Sequence, residues 1–240
     1  MPARICIGTS GWAYADWRGA FYPRGLAQRD WLAYYATQFS TVELNASTYR
    51  LPQRSSIERW LASVPGDFRF AVKLSRLITH RRNLGEPRAF IDNYFAAIAP
   101  LRPKIATILA QFPPYLARDD ARLATFLGLL PPEYRYAFEF RHPSWYVEET
   151  YATLRGRGVA LCIHDMRGSQ APDVVTAPFG YVRCHGPVRA FTGSYSRPRL
   201  EALKVRLERL GLDEVAIYFN NDRNANAVRN AKTLRELFGQ

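Results

Sequence analysis

The chain has 240 residues, 48% of them hydrophobic, with 14 Tyr, 14 Phe and 5 Trp; it can bury a full core and is no candidate for disorder. Lys and Arg number 33 against 21 Asp and Glu, a net charge of +12 that steers anionic partners. There is no charged start followed by an apolar run of signal-peptide length and no stretch long enough to span a bilayer. A soluble, cytoplasmic protein with no membrane role is therefore expected. Cys6, Cys162 and Cys184 stand singly in apolar, strand-like segments, outside any paired metal or redox spacing, and read as buried reduced thiols.

In chain order, the first predicted strand is Arg4–Gly8. An aromatic, Gly-rich loop from Gly11 to Gly25 leads to a helix from about Asp30, with Leu32, Tyr35, Ala36 and Phe39 on one face. Thr41–Asn45 is a second strand, with Val42 and Leu44 on one side and Thr41, Glu43 and Asn45 on the other. Ser55–Glu58 reads as a capping box opening a helix that Pro65 closes. The third strand, Phe68–Lys73, ends in a charge, and Pro87 starts a helix carrying Phe90, Ile91, Tyr94, Phe95 and Ile98. The fourth, Ile105–Phe112, is followed by a helix capped at Asp119 or Asp120.

The fifth strand alternates Tyr136, Phe138 and Phe140 with Ala137, Glu139 and Arg141, and stops at His142 and Pro143 because proline has no N–H for the ladder. Its helix is Val147–Arg157. The sixth strand, Val159–Ile163, runs into His164, Asp165 and a segment too short and polar to assign as helix. The seventh, Gly180–His185, precedes a helix capped at Ser196 that carries Leu200, Leu203, Leu207 and Leu210. The eighth, Glu214–Asn221, precedes a last helix with Val228, Ala231, Leu234 and Leu237.

Eight strand-then-helix units in 240 residues, 30 per unit, predict an α/β fold: a single (β/α)8 TIM barrel over residues 1–240. A doubly wound sheet would want a phosphate-binding glycine loop after the first strand, and Gly8–Gly11 lacks the further glycine and the helix start. No linker or low-complexity tract divides the chain.

Barrel enzymes work at the C-terminal ends of their strands. The polar residues there are Ser10, Glu43, Asn45, Lys73, Gln111, Glu139, Arg141, His142, Asp165, Arg183, His185, Asn220 and Asn221, and all four histidines, His80 and His164 included, lie at or just past strand ends. Outward strand faces meet helices and must be apolar, so Glu43, Asn45, Lys73, Glu139, Arg183 and His185, which oppose the apolar parity, are expected to face inward. Glu43 and Glu139 form a candidate acid/base pair, provided that environment splits their pKa values, with His185 and Asp165 as further catalytic candidates. Lys73, Arg141 and Arg183 suit a phosphate or carboxylate. Ser10, Trp12, Asn45, Gln111, His142 and Asn220 complete the expected ligand contacts.

Two other readings compete. Glu43, Lys73, Glu139 and Arg183 can neutralise one another as a buried ion-pair layer, although such a layer is a poor way to fill a core. The aromatic loop, with Trp12, Tyr14, Trp17, Phe21 and Tyr22, is either a stacking platform for bases or sugars or a plug over one end of the barrel. The histidines with Glu43, Glu139 and Asp165 supply ligand types for a divalent metal. No two of them have compact metal spacing, and the neighbouring cations repel one, so a metal is not favoured.

The runs Gly8–Trp17, Val42–Asn45, Ile78–His80, Gln111–Pro114, Glu139–Trp145, His185–Gly186 and Tyr218–Asp222 resemble the YecE-like family, also called domain of unknown function 72. The resemblance covers about residues 4 to 236. It implies a TIM barrel and a bacterial or archaeal cytosolic protein, without an established activity, and a likeness in fold to barrel endonucleases acting on abasic DNA. The chain lacks the histidine-rich trinuclear zinc pattern of such enzymes, so zinc-dependent cleavage does not carry over. It also departs at Asn224 and Ala225, where a glycine and an aromatic are expected. Three functions follow as expectations: an enzyme acting on a phosphate-bearing or nucleic-acid substrate, a non-catalytic nucleic-acid-binding protein, and a metal-dependent sugar isomerase or aldolase-like barrel.

Overall fold

The structure, a computed structural model, describes residues 3–45, 51–80, 88–166 and 168–240. Its strands are β1 (Arg4–Thr9), β2 (Thr41–Leu44), β3 (Arg69–Lys73), β4 (Ile105–Gln111), β5 (Tyr136–Glu139), β6 (Ala160–His164), β7 (Phe179–Cys184) and β8 (Glu214–Phe219). Its helices are α1 (Trp31–Gln38), α2 (Arg54–Ala62), the single turn α3 (Arg76–Thr79), α4 (Arg88–Ile98), α5 (Asp120–Leu129), α6 (Glu148–Gly156), α7 (Arg197–Glu208) and α8 (Asn226–Leu237). Strands pair in parallel in the order β1-β8-β7-β6-β5-β4-β3-β2, the (β/α)8 barrel that the repeat predicts.

The barrel closes between β1 and β2 through a single bridge, Ser10 to Glu43, in place of a full ladder. Tyr35 of α1 inserts its hydroxyl into this seam. It accepts from the Thr9 N–H and the Thr9 hydroxyl, both at 3.0 Å, and donates to the Thr41 carbonyl at 3.1 Å. A side chain thus satisfies backbone groups that a ladder would otherwise pair. Gly8 belongs to the same close approach, since a Cβ there would stand 2.2 Å from the Thr41 carbonyl oxygen.

Strand parity divides the core as the sequence predicts. Outward residues such as Val42, Val72, Ile108, Phe138, Ile163, Val182 and Ile217 pack with the helices. The inward set is mostly small or aromatic: Ala71, Ala137, Ala160, Cys162 and Ala216, with Leu109, cluster with Tyr181 and Tyr218. The small residues leave room for long side chains to cross the barrel axis above them. All three cysteines are free thiols.

Local corrections have simple causes. Helix α2 begins at Arg54, with Gln53 at the N-cap and no side-chain cap bond, so the predicted capping box does not form. Ser55 falls inside the first turn, and Glu58 is held by Arg54 at 3.0 Å. Ser196 precedes α7 without a side-chain cap bond, whereas Asp119 does cap α5, accepting the Arg122 N–H at 2.9 Å. The predicted role of Pro87 lies outside the described residues. Most of the aromatic loop is a packed plug: Trp17 and Tyr22 are buried, and Tyr22 stacks on Trp31 at 4.6 Å. Trp12 stays half-buried, edge-on to Trp60 at 5.9 Å. Asn224 and Ala225 have φ of 58° and 56°, the left-handed region where glycine is unstrained. The departure at these positions therefore places two side chains in a backbone shape that glycine favours. Among the described residues no helix is long and apolar enough to cross a membrane.

Candidate active site

At the C-terminal ends of the strands the inward polar residues meet. Arg183 on β7 lies across the barrel axis, its Nη2 at 2.7 Å from Glu43 Oε1 and its Nη1 at 2.7 Å from Glu139 Oε2. Tyr181, two residues earlier on the same face, donates to Glu43 Oε2 at 2.7 Å, and Asn45 Nδ2 approaches Oε1 at 3.3 Å. Arg141, just past β5, pairs with Glu139 Oε1. Both glutamates are 0% exposed and Arg183 is 2% exposed. Burial alone would raise the two carboxyls, but the facing guanidiniums outweigh it and hold Glu43 below, and Glu139 well below, the ordinary carboxylate value. Both glutamates are thus ionised at neutral pH. The expected split into one acid and one base does not occur, because each faces an arginine.

His185 lies beside this cluster. Arg141 Nη2 is 2.9 Å from its Nε2, and because arginine has only donors, Nε2 accepts. Its Nδ1 lies 3.2 Å from the Asn220 side-chain nitrogen Nδ2. Burial and the Arg183 charge depress this imidazole to about 4, so it is neutral. Lys73, at the tip of β3, is lowered to about 8 by burial and by Arg183, against the pull of Glu139 and Glu43. Buried Ser10 Oγ, Asn45 Oδ1, Arg141 Nε and Arg183 Nε have no hydrogen-bond partner among the described residues.

Other predicted site residues are engaged elsewhere. Asp165 accepts the His185 backbone N–H at 2.7 Å on Oδ1 and the Tyr195 hydroxyl on Oδ2, so it fixes the tip of β7. His142 caps a turn, its Nδ1 accepting from the Ser144 N–H at 3.2 Å. Gln111 donates to the adjacent Phe112 carbonyl at 3.1 Å. Asn221 points away to Asn230 at 2.8 Å. His164 Nε2 lies 3.0 Å from the Phe140 carbonyl.

Two residues that were not singled out as site residues belong here. Tyr181 was legible from parity with Arg183. Asp222 closes the run Asn220–Asp222, and its carboxyl lies against Tyr14, near Glu43 and Arg183. Burial pushes it up to about 7, with the neighbouring Glu43 and Asp16 charges adding to the rise. Its Oδ1 is buried without a partner among the described residues.

Among the described residues no group of three or more His, Cys, Asp or Glu is placed to hold a metal ion. Glu43 and Glu139 are engaged by arginines whose charge repels a cation, so the donor set does not fit a divalent metal.

A family model described as protein of unknown function DUF72 matches residues 6–240. The chain belongs to the DUF72 family. Among its relatives is the UPF0759 protein YecE of Escherichia coli K12, 32% identical over 169 residues, which are 68% of this chain and only 60% of YecE. The UPF0759 protein YunF of Bacillus subtilis is 27% identical over 97% of this chain and 94% of its own. A DUF72 crystal structure from Thermotoga maritima superposes with a TM-score of 0.89 at 29% identity, covering 99% of this chain and 100% of that one. A family 2 AP endonuclease from Brucella melitensis, at 12% identity and a TM-score of 0.53 over 95% of this chain and 97% of its own, shares the fold alone with this DUF72 barrel.

Proposed function

We propose that this barrel is an enzyme acting on a phosphate-bearing substrate, a nucleotide or nucleic acid by class, bound at the mouth by Arg141 and Lys73. The supporting observation is a cationic mouth built of Arg183, Arg141 and Lys73 in which the two buried guanidinium Nε–H groups, of Arg183 and Arg141, have no partner among the described residues. A layer serving stability alone is expected to satisfy its donors. In this reading Glu43 and Glu139 position the arginines, and neutral His185 orients Arg141. Proton transfer falls to Lys73 and Asp222, whose values near 8 and 7 suit exchange at neutral pH.

The test is calorimetric titration with inorganic phosphate and a phosphate monoester, with product analysis on nucleotides and abasic DNA. Wild type should bind phosphate, Lys73→Met about tenfold more weakly, and Asp222→Asn should bind but not turn over. Absence of phosphate binding removes the reading. Binding of nucleic acid without turnover, with affinity falling linearly on a log–log plot against salt, replaces it with a non-catalytic nucleic-acid-binding role.

A further inference from the structure

The connection between β6 and β7 has no helix among its described residues. A (β/α)8 barrel normally covers the outward side chains there with one. Instead, outward-facing Ile163, Val182 and Cys184 form the floor of a cavity of about 190 Å³, with Leu203 of α7 in its wall. Through Asp165, Gln170 and Arg199 it adjoins a second, more polar cavity of about 460 Å³ that Ser169 and Gly186 also line. The inner chamber is larger than the ~150 Å³ apolar cavity known to hold benzene.

The charges at the junction select the ligand. Arg206 is chelated by Asp173, its Nε at 2.8 and 2.7 Å from the two carboxylate oxygens. Asp165 already accepts from the His185 N–H and the Tyr195 hydroxyl. Arg199 stacks on the Tyr195 ring, 5.4 Å from its centroid, with no ion pair among the described residues. It is an exposed, oriented guanidinium standing where the more apolar inner chamber meets the more polar outer one.

We propose that this cleft is a ligand site separate from the barrel mouth, taking an aromatic carboxylate: the ring fills the inner chamber and the carboxylate meets Arg199 in the outer one. Planar carboxylate and guanidinium match as a bidentate pair. The site does not depend on the function proposed for the mouth: Arg141 and Lys73, which bind phosphate there, take no part, and although Arg183 borders the inner chamber its guanidinium is held by Glu43 and Glu139.

The probes are benzoate, acetate and fluorobenzene, followed by methyl resonances of Ile163, Val182 and Leu203 together with calorimetry. Benzoate should shift those methyls and bind about ten- to a hundredfold more tightly than acetate, from burial of the ring. Arg199→Ala should weaken benzoate about tenfold and leave fluorobenzene unchanged. Ala202→Phe, at an exposed position lining the chamber, should displace both probes while circular dichroism stays that of wild type. Equal binding of acetate and benzoate, or shifts confined to His185 and Asn220 at the mouth, would overturn the proposal.

Discussion

Arg183 on β7 reaches Glu43 on β2, with 2.7 Å between Nη2 and Oε1, and so joins two strands that are far from adjacent in the sheet order. The same guanidinium holds Glu139 of β5 at 2.7 Å, which makes it a strut across the barrel. Arg183→Met leaves two buried carboxylates short of their shared cation, and breaking a buried pair by removing one partner costs about 3–5 kcal/mol. Urea denaturation at neutral pH measures this. A loss below about 1 kcal/mol would mean that the strut contributes nothing.

Lys73 carries the opposite expectation. Its folded value near 8 lies below the ~10.4 of an unfolded lysine, so between these values the unfolded chain holds the proton and the folded one does not. Stability from this group therefore rises as pH climbs from about 8 to 10, and below pH 8 the charged amine opposes folding. Lys73→Met should raise stability at pH 7 by about 1–2 kcal/mol, a value reduced for the half-buried setting, and remove the rise above pH 8. Urea midpoints at pH 7 and pH 10 for both proteins check it. The same variant weakens phosphate binding, so stability and binding should move in opposite directions.

Asp222 is an acid with a raised value, about 7 folded against ~3.9 unfolded. Between these values the folded state binds the extra proton, so stability falls as pH rises from about 4 to 7. Asp222→Asn removes that fall and should be more stable than wild type by about 2–4 kcal/mol at pH 8, with little difference at pH 4. Thermal melts across this range decide the matter, and identical pH profiles would show that the carboxyl is not raised.

Tyr35→Phe deletes one oxygen and leaves the Thr9 N–H and the Thr41 carbonyl facing each other across the seam without their bridge. Leaving such buried groups unsatisfied costs about 1–3 kcal/mol. Amide exchange at Thr9 should accelerate in step with the loss measured by denaturation. Unchanged Thr9 protection would mean that β1 and β2 are held by other contacts.

The spacing of strand and helix patterns was enough to read the barrel, because the strand centres are buried on both faces and their apolar parity is written residue by residue. The same parity pointed Glu43, Glu139, Arg183 and His185 inward, and they do converge. Local cap chemistry was less legible. Ser55 has the right neighbours for a capping box, yet Gln53 is the N-cap, so α2 starts two residues earlier than the box requires, and Glu58 pairs with Arg54. His142 and Asp165 sit at strand ends with suitable chemistry, but turn capping and a backbone N–H engage their ring nitrogen and oxygens.

What the sequence determined by itself is the set of strand tips and the face each one presents, since these depend on a two-residue period and on the position of proline. What only the tertiary structure decided is the charge state of those tips. Glu139 is ionised because it faces two arginines, and Asp222 is raised to about 7 because it is buried, with the neighbouring Glu43 and Asp16 charges adding to the rise. Electrostatic energy depends on distance through the fold, and Arg183, 44 positions from Glu139 and 140 from Glu43 along the chain, is brought onto both carboxylates only by the closed barrel.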